Sequence, residues 1–567
     1  MPHLIKHNTS PESQSLRKGR FNIGVGDVAK DPTWYTGWDA PPGGYVVYEH
    51  KASGGPSIVV AENDAAMIGI ANRITNSNYE NLPAALDGLT NLGQPDKLVI
   101  DRQHPNIVTQ GLVMNHVAFY APSYPRTGTS WYDTSQSGNG GVFSSVPTNW
   151  SSLGWFVFDG TLNVEIVNAA SLQVTGDQTL EFLVRPDIRG PGTNDRKNWY
   201  NKAYGGEGTI TYEIDGSLNY FWGTAGGNNS PYQTVSTNGT PLAVTGTWYH
   251  VALVRELSTA TKTVKWYING VLNNSTSASY NAAVASNLPV KLGNGYAGGF
   301  SGGMAYARQY NIALSAAQIS HNYYGGPIVT SGLAVAYDPN HLVCYQSGGS
   351  TATSLTGTNA NSALTSVSLV NRSFNFNRSS DSRMTITSLD LTTTNAVSIE
   401  LWVNFKTLPT TTSSGDYTRV ICELSDNFNN FNDVFGLTVE WELTGYRWML
   451  YENGNAGYNI KSLVTPLPAA GVWHHFVGII DHTQSASNII SFYINGVAQN
   501  NKGGAGGQTY NAANTNSFGN RIFRIGGRAT TSYSQDMYLG AFRIYRRAIT
   551  AAEVLQNFNA QRLQYGL

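Results

Sequence analysis

The chain repeats itself, and this limits what it can fold into more than any other feature. Thr109-Gln110-Gly111-Leu112-Val113 in one half answers to Thr330-Ser331-Gly332-Leu333-Ala334 in the other. Leu180-Glu181-Phe182-Leu183-Val184 answers to Ile399-Glu400-Leu401-Trp402-Val403. Trp248-Tyr249-His250-Val251-Ala252-Leu253-Val254 is matched by Trp473-His474-His475-Phe476-Val477-Gly478-Ile479, and Tyr267-Ile268-Asn269-Gly270-Val271 by Tyr493-Ile494-Asn495-Gly496-Val497. Each copy closes alike, with Arg308-Gln309-Tyr310-Asn311-Ile312-Ala313-Leu314-Ser315 or Arg543-Ile544-Tyr545-Arg546-Arg547-Ala548-Ile549-Thr550. Matches in one fixed order make two copies of one domain plan, residues 109–327 and 328–567.

The pieces of the plan have readable physics. Asn-Gly between two β-rich runs predicts a hairpin, because a type I′ turn needs positive φ at both central residues. Lys265-Trp266-Tyr267-Ile268 and Ser491-Phe492-Tyr493-Ile494 alternate before those turns, as half-buried strands do. Ser315-Ala316-Ala317-Gln318 and Thr550-Ala551-Ala552-Glu553 read as capping boxes, each opening a short helix that ends its domain. Elsewhere strands recur between Gly and Asn turn clusters, which predicts antiparallel sandwiches.

Composition agrees and excludes several classes. Charged residues make up 13% of the chain, about half the usual share, while 60 Gly, 32 Tyr and 13 Trp suit short strands and tight turns. A net charge of −1 gives no footprint for nucleic acid or an anionic membrane. No apolar run reaches the roughly 18 residues of a spanning helix. Met1-Pro2-His3-Leu4-Ile5-Lys6 lacks the apolar stretch of a signal peptide, so the expectation is synthesis in a cytosol. Cys344 and Cys422 each sit in an apolar run and read as buried free thiols.

Residues 1–108 read as a small α+β domain. Tyr45-Val46-Val47-Tyr48 and Ser57-Ile58-Val59-Val60 are expected strands around a turn-rich link, and Lys97-Leu98-Val99-Ile100 a third. Asn63-Asp64 would cap a helix bearing Ala66, Met67, Ile70 and Ala71, with a second helix from Leu82 to Leu92.

The order of strand, Trp-x-His-(Val/Phe) strand, Tyr-Ile-Asn-Gly hairpin and Arg-x-Tyr closing strand with its helix resembles the concanavalin-A-like laminin-G fold. The resemblance implies a mainly β chain: two antiparallel jelly-roll β-sandwiches behind the small N-terminal domain. Copy one also carries Tyr124-Pro125, Gly128-Thr129-Ser130-Trp131-Tyr132-Asp133, Ser137-Gly138-Asn139-Gly140-Gly141 and Val157-Phe158-Asp159-Gly160. That opener resembles laminin-G-like domains of bacteriophage virion proteins. Gly24-Val25-Gly26 with Trp38-Asp39-Ala40-Pro41-Pro42-Gly43-Gly44 resembles their N-terminal segments. Copy two departs, with Phe376-Asn377-Arg378 in place of Phe-Asp-Gly, so a site in one copy does not carry over to the other.

Some relatives of this fold hydrolyse glycans, so paired carboxylates matter. Glu213-Ile214-Asp215 would share a strand face, but the third acid of the β-glucanase pattern is missing and Asp215-Gly216 reads better as a turn. Glu440-Trp441-Glu442 lacks it too. His250, His474 and His475 read as packing residues, and no spaced His or Cys pair suggests zinc. Calcium, which many laminin-G domains hold, would draw on Asp195 in one loop and on Asp426 and Asp433 in the Asn-rich loop 426–433. A glycan would need loop aromatics beside amides, and Trp199, Tyr200, Tyr204, Phe428 and Phe431 are the candidates. Trp248, Trp441, Tyr446, Trp448 and Trp473, on motif strands or alternating strands, are expected in the core.

The expectation is therefore a non-enzymatic virion structural protein, assembled in a host cytoplasm. Residues 1–108 would dock on other virion proteins while the sandwiches contact protein or host glycan, in a homo-oligomer. A purely architectural role stands beside binding. The alternatives are a cell-surface or secreted carbohydrate-binding adhesin and a glycoside hydrolase or lyase of the same fold.

Overall fold

A computed structural model describes residues 45–51, 55–61, 98–100 and most of 107–567, the main gaps in that last stretch being 190–195, 410–417, 427–433, 464–467, 500–507 and 529–532. The chain divides into two compact units at Gly326–Pro327. Near the N-terminus Tyr45–Lys51 pairs antiparallel with Gly55–Ala61 on one side and Leu98–Ile100 on the other. The two helices expected between those strands lie outside the described residues.

Each copy is a sandwich of two antiparallel sheets. In the first, one sheet runs Val271–Ser277, Thr263–Ile268, Tyr249–Glu256, Gln178–Pro186, Ser301–Tyr310, Trp155–Asp159 and Trp150–Ser151, with Leu112–Val117 also on Ser301–Tyr310. The second sandwich repeats it as Val497–Gln499, Ile490–Ile494, Trp473–Asp481, Ala396–Phe405, Met537–Tyr545, Ser373–Phe376 and Ser368–Val370, with Leu333–Tyr337 on Met537–Tyr545. We call these the frame sheets. The facing sheet of copy one is ordered Tyr232–Ser236, Leu218–Gly223, Gly208–Tyr212, Lys197–Ala203, Val290–Leu292, Val164–Ile166, Gly141–Phe143 and Ser130–Trp131. Between the two sheets lies a core rich in rings, including Trp131, Phe156, Phe182, Trp199, Tyr220, Trp222 and Trp266.

The hairpins and helices form as their sequences dictate. Asn269 and Asn495 both take φ of 50°, followed by Gly270 at 74° and Gly496 at 77°, the left-handed pair that a type I′ turn requires. A side chain at Gly270 would run into the ring of Tyr323, so close helix approach as well as φ demands glycine there. The helices Ala316–Tyr324 (α1) and Ala551–Gln561 (α2) open with complete capping boxes, Ser315 with Gln318 and Thr550 with Glu553. Both cysteines are buried and free.

On the face of each frame sheet away from the main core, the closing helix covers a small apolar cluster and one buried carboxylate. Glu181 stands opposite Arg308 across paired strands, and Glu400 opposite Arg543. Glu400 Oε1 receives His475 Nε2 at 3.2 Å and Arg543 Nη1 at 2.7 Å, while Oε2 accepts from Asn557 Nδ2 at 2.7 Å and Tyr545 OH at 3.1 Å. In copy one the contacts are 2.8 Å to His250, 3.4 Å to Arg308 and 2.8 Å to Asn322. The Asn322 and Asn557 carbonyls then accept the backbone N–H of Val108 and Val329 at 2.8 and 2.9 Å. One side-chain set thus ties three frame strands, the closing helix and the entering chain together. The histidines expected to be structural are so placed: His250 and His475 are fully buried partners of these carboxylates, and His474 Nε2 accepts from Ala469 N at 3.2 Å.

Burial alone would raise the Glu400 carboxyl, but Arg543, His475 and Asn557 outweigh it and hold it at about 2. The same balance puts Glu181 below its ordinary value. A folded pKa below the unfolded one stabilises fully above about 4.5, and that contribution is lost on acidification towards about 2. Glu400→Gln should lower the stability of the second sandwich at neutral pH by about 3–5 kcal/mol, because Arg543 is left buried without its partner. Denaturant unfolding followed by tryptophan fluorescence would read this loss. The same titration repeated between pH 5 and roughly pH 2 should show native stability falling steeply, and the variant a flatter profile. Unchanged neutral stability together with an unchanged acid profile would contradict the role given to Glu400.

Candidate functional site

In Leu218–Gly223 the alternation is strict: Leu218, Tyr220 and Trp222 are fully buried, while Asn219 and Phe221 face outward. Lys197–Ala203 breaks it, because its register shifts between Asn198 and Tyr200. Through that bulge two consecutive rings enter the core. Trp199 packs on Tyr212 at 5.9 Å and Phe300 at 5.7 Å, and Tyr200 spans the sandwich to donate its hydroxyl to Gln309 at 3.0 Å. Both have 0% exposure, so the expectation of Trp199 and Tyr200 as surface platforms is corrected. They lie on a buried strand, not on the loop that precedes it.

Tyr204, just beyond that strand, is half-buried and anchors an aromatic cluster at the surface. Its ring meets Tyr296 edge-on at 5.0 Å and Tyr232 at 5.4 Å, and Tyr232 meets Phe221 at 5.7 Å. Tyr296 is 71% exposed and Tyr232 49%, the latter well above most aromatics of this sandwich. Register places them: Gly223 pairs with Tyr232, and Phe221 with Thr234. Below the rings, Gly205 packs so tightly on the Asn229 carbonyl that any Cβ there would collide with it. Gly205 N donates to Gly227 O at 2.9 Å, and Ala225 N to Gly205 O at 2.8 Å. The adjoining loop also presents Asn228, whose Oδ1 accepts from Tyr204 N at 3.2 Å. Burial and the neighbouring phenols of Tyr296 and Tyr232 push the Tyr204 hydroxyl up, so it stays a donor at neutral pH. Sequence reasoning missed Phe221, Tyr232 and Tyr296. The available signal was a lone Tyr in the Gly-rich turn Asn294-Gly295-Tyr296-Ala297-Gly298, where no strand pattern could bury it.

The carboxylates of the same sheet are engaged elsewhere. Glu213 pairs with Arg196 at 2.9 Å and accepts from Thr211 at 2.5 Å and Asn219 at 2.7 Å. Asp215 belongs to a turn closed by Glu213 N to Ser217 O at 2.9 Å, and it caps Ser217 N at 2.9 Å and Ser217 Oγ at 2.7 Å. Those Ser217 bonds lower the Asp215 carboxyl. In the second sandwich Glu440 binds Thr418 at 2.9 Å and Arg447 at 2.7 Å.

Of the expected calcium ligands, Asp195 and Asp433 lie outside the described residues, as do the aromatics Phe428 and Phe431. Asp426 is described, and its carboxylate accepts from Arg521 Nη1 at 3.0 Å and Ile522 N at 3.0 Å. Those bonds fit a strand contact better than a metal donor. Among the described residues no group of three or more His, Cys, Asp or Glu converges as a metal site. Trp248 and Trp448 are fully buried as expected, whereas Trp473 is only half-buried, against Tyr565 at 4.8 Å. Tyr446 is also half-buried. The side chain of Trp441 lies outside the described residues.

No curated protein matches the chain. Several solved structures resemble it. Domain 4 of AbnA, a GH43 extracellular arabinanase from Geobacillus stearothermophilus in complex with arabinotriose, is 17% identical over 38% of this chain and 100% of that one, with a TM-score of 0.29. The botulinum neurotoxin serotype D ligand binding domain in complex with N-acetylneuraminic acid is 11% identical over 76% and 96%, with a TM-score of 0.31. A heptameric SAP-like pentraxin from Limulus polyphemus is 14% identical over 30% and 73%, with a TM-score of 0.23. What those proteins bind is a property of those proteins. The family model for the concanavalin A-like lectin/glucanases superfamily matches residues 158–320 and again 378–555, one stretch in each sandwich. Two sandwiches of one topology, each matched by that model, mean that the chain belongs to the concanavalin A-like lectin/glucanases superfamily.

Proposed function

We propose that this chain is a non-enzymatic virion structural protein whose first sandwich meets a glycan through Tyr204, Tyr232 and Tyr296. The exposed tyrosine cluster carries the reading. Flat rings held at an angle to one another suit the C–H faces of a sugar, and the amide-bearing loop beside them suits its hydroxyls. A non-catalytic role is supported by the pair Glu213 and Asp215, the first held by Arg196, Thr211 and Asn219 and the second by its own turn, instead of standing as the paired acids that glycoside hydrolysis demands. The virion setting rests on the opener from Tyr124 to Gly160 and its resemblance to laminin-G-like domains of phage particles. In that setting residues 1–108 would dock on other virion proteins, and the particle's symmetry would impose a homo-oligomer.

Glycan-array binding by the full chain, with and without calcium, is the test. Tyr232→Ala combined with Tyr296→Ala should weaken a specific hit by at least tenfold, about 1.4 kcal/mol. Both side chains are exposed, so thermal unfolding of the variant should stay close to that of the parent. Binding that survives the double substitution would move the site elsewhere, with Phe428→Ala the next variant. The absence of any hit in either condition would leave the sandwiches as architecture.

A further inference from the structure

The facing sheet of the first sandwich holds a lysine that the binding reading does not use. Lys202 lies near the end of Lys197–Ala203, and its side chain and that of Glu207 both have 0% exposure. The Lys202 amine reaches Asn168 Oδ1 at 2.7 Å, Leu288 O at 2.8 Å and Glu207 Oε1 at 3.4 Å. Glu207 is fixed in turn by Ser286, whose N–H and hydroxyl donate to its two oxygens at 2.8 and 2.7 Å. An amine, a carboxamide and a carboxylate are therefore gathered in one polar pocket of the sandwich.

We propose that Lys202 and Asn168 join in an intramolecular isopeptide bond, with Glu207 carrying the proton. With a carbonyl bond of about 1.23 Å, the Asn168 Cγ lies no farther than about 3.9 Å from Nζ, close to attacking distance. Glu207 takes a proton from the Lys202 ammonium, and the neutral amine adds to Cγ of Asn168. The tetrahedral centre collapses as Glu207 returns the proton to the amide nitrogen, which departs as ammonia. One C–N bond forms, one breaks, nothing is oxidised, and the released ammonia leaves as ammonium with the remaining lysine proton. Burial favours the neutral amine that attack requires, and it pulls the Lys202 ammonium below its ordinary value although Glu207 opposes it.

The bond would cross a strand. Val290–Leu292 lies between Lys197–Ala203 and Val164–Ile166 in the sheet, and Asn168 follows the latter. A covalent tie would hold all three strands in register whatever load acts on the sheet. It is independent of the glycan reading.

Intact mass spectrometry of the full, denatured chain tests it, together with peptide mapping. The parent should be lighter than its sequence by one ammonia, and digestion should yield a branched peptide joining Lys202 to Asn168. Asn168→Asp should give the same branch with loss of one water instead. Glu207→Gln should stay at full sequence mass, and if that variant fails to fold, Lys202→Arg should do so while keeping the positive charge. A folded parent at full mass overturns the proposal. Ammonia loss without the Lys202–Asn168 branch also overturns it, because a succinimide at any asparagine loses the same mass.

Discussion

The carboxylates buried under the closing helices, Glu181 and Glu400, are the constraint on which each sandwich depends. An ionised carboxylate without partners cannot remain in a protein interior, so every group that satisfies it must be delivered there by the fold. For Glu400 those groups come from separate elements: Arg543 and Tyr545 from the neighbouring strand, His475 from the strand on the other side, and Asn557 from the closing helix. The carboxylate therefore works as a coincidence detector for correct assembly. If the register slipped by one residue, Arg543 would turn to the opposite face and the charge would be stranded.

This demand explains why so much of the fold was legible in the sequence. Every repeated motif supplies a part of that assembly: the Glu strand, the Trp-x-His strand, the Asn-Gly hairpin and the Arg-x-Tyr strand with its capped helix. Even the hairpin asparagine contributes, since Asn269 and Asn495 accept the backbone N–H of His250 and His475 at 2.9 Å each. Residues bound by many partners at once leave a strong, spaced pattern. Trp199 and Tyr200 were misread because their fate turns on a bulge, and a bulge leaves no period in the sequence. Tyr232 and Tyr296 were missed for the opposite reason: one opens an edge strand and the other sits in a distant turn, and only the folded sheet brings them beside Tyr204.

The repeated motifs all fall in the frame sheets and their helices, and none falls in the facing sheets. In copy one the facing sheet carries the tyrosine cluster and the Lys202 triad. In copy two its outward row is occupied differently. Thr385 pairs with Arg524, Arg524 with Glu423, Glu423 with Gly436, and Gly436 with Tyr451. Tyr451 leans across Gly436 to donate to Glu423 at 2.6 Å, and Arg528 closes on the same carboxylate at 2.8 Å. By register Tyr451 stands where Phe221 does and Tyr458 where Tyr232 does, but the Tyr451 hydroxyl is tied to Glu423.

A duplicated fold with one conserved and one divergent sheet divides its tasks. The frame sheet cannot change without stranding a buried charge, because a single substitution there removes one of several mutually required partners. The facing sheet contributes apolar rings to the core from one side only. Its polar residues form different networks in the two copies, Lys202 with Glu207 in the first and Glu423 with Tyr451 and Arg528 in the second, so this sheet diverges where each copy supplies its own partners. On the proposed reading the glycan would meet the facing-sheet side of the first sandwich through Tyr204, Tyr232 and Tyr296, and the second sandwich would have to be tested by itself. The shared motifs identify the fold of both copies, and the residues that differ have to be read separately in each.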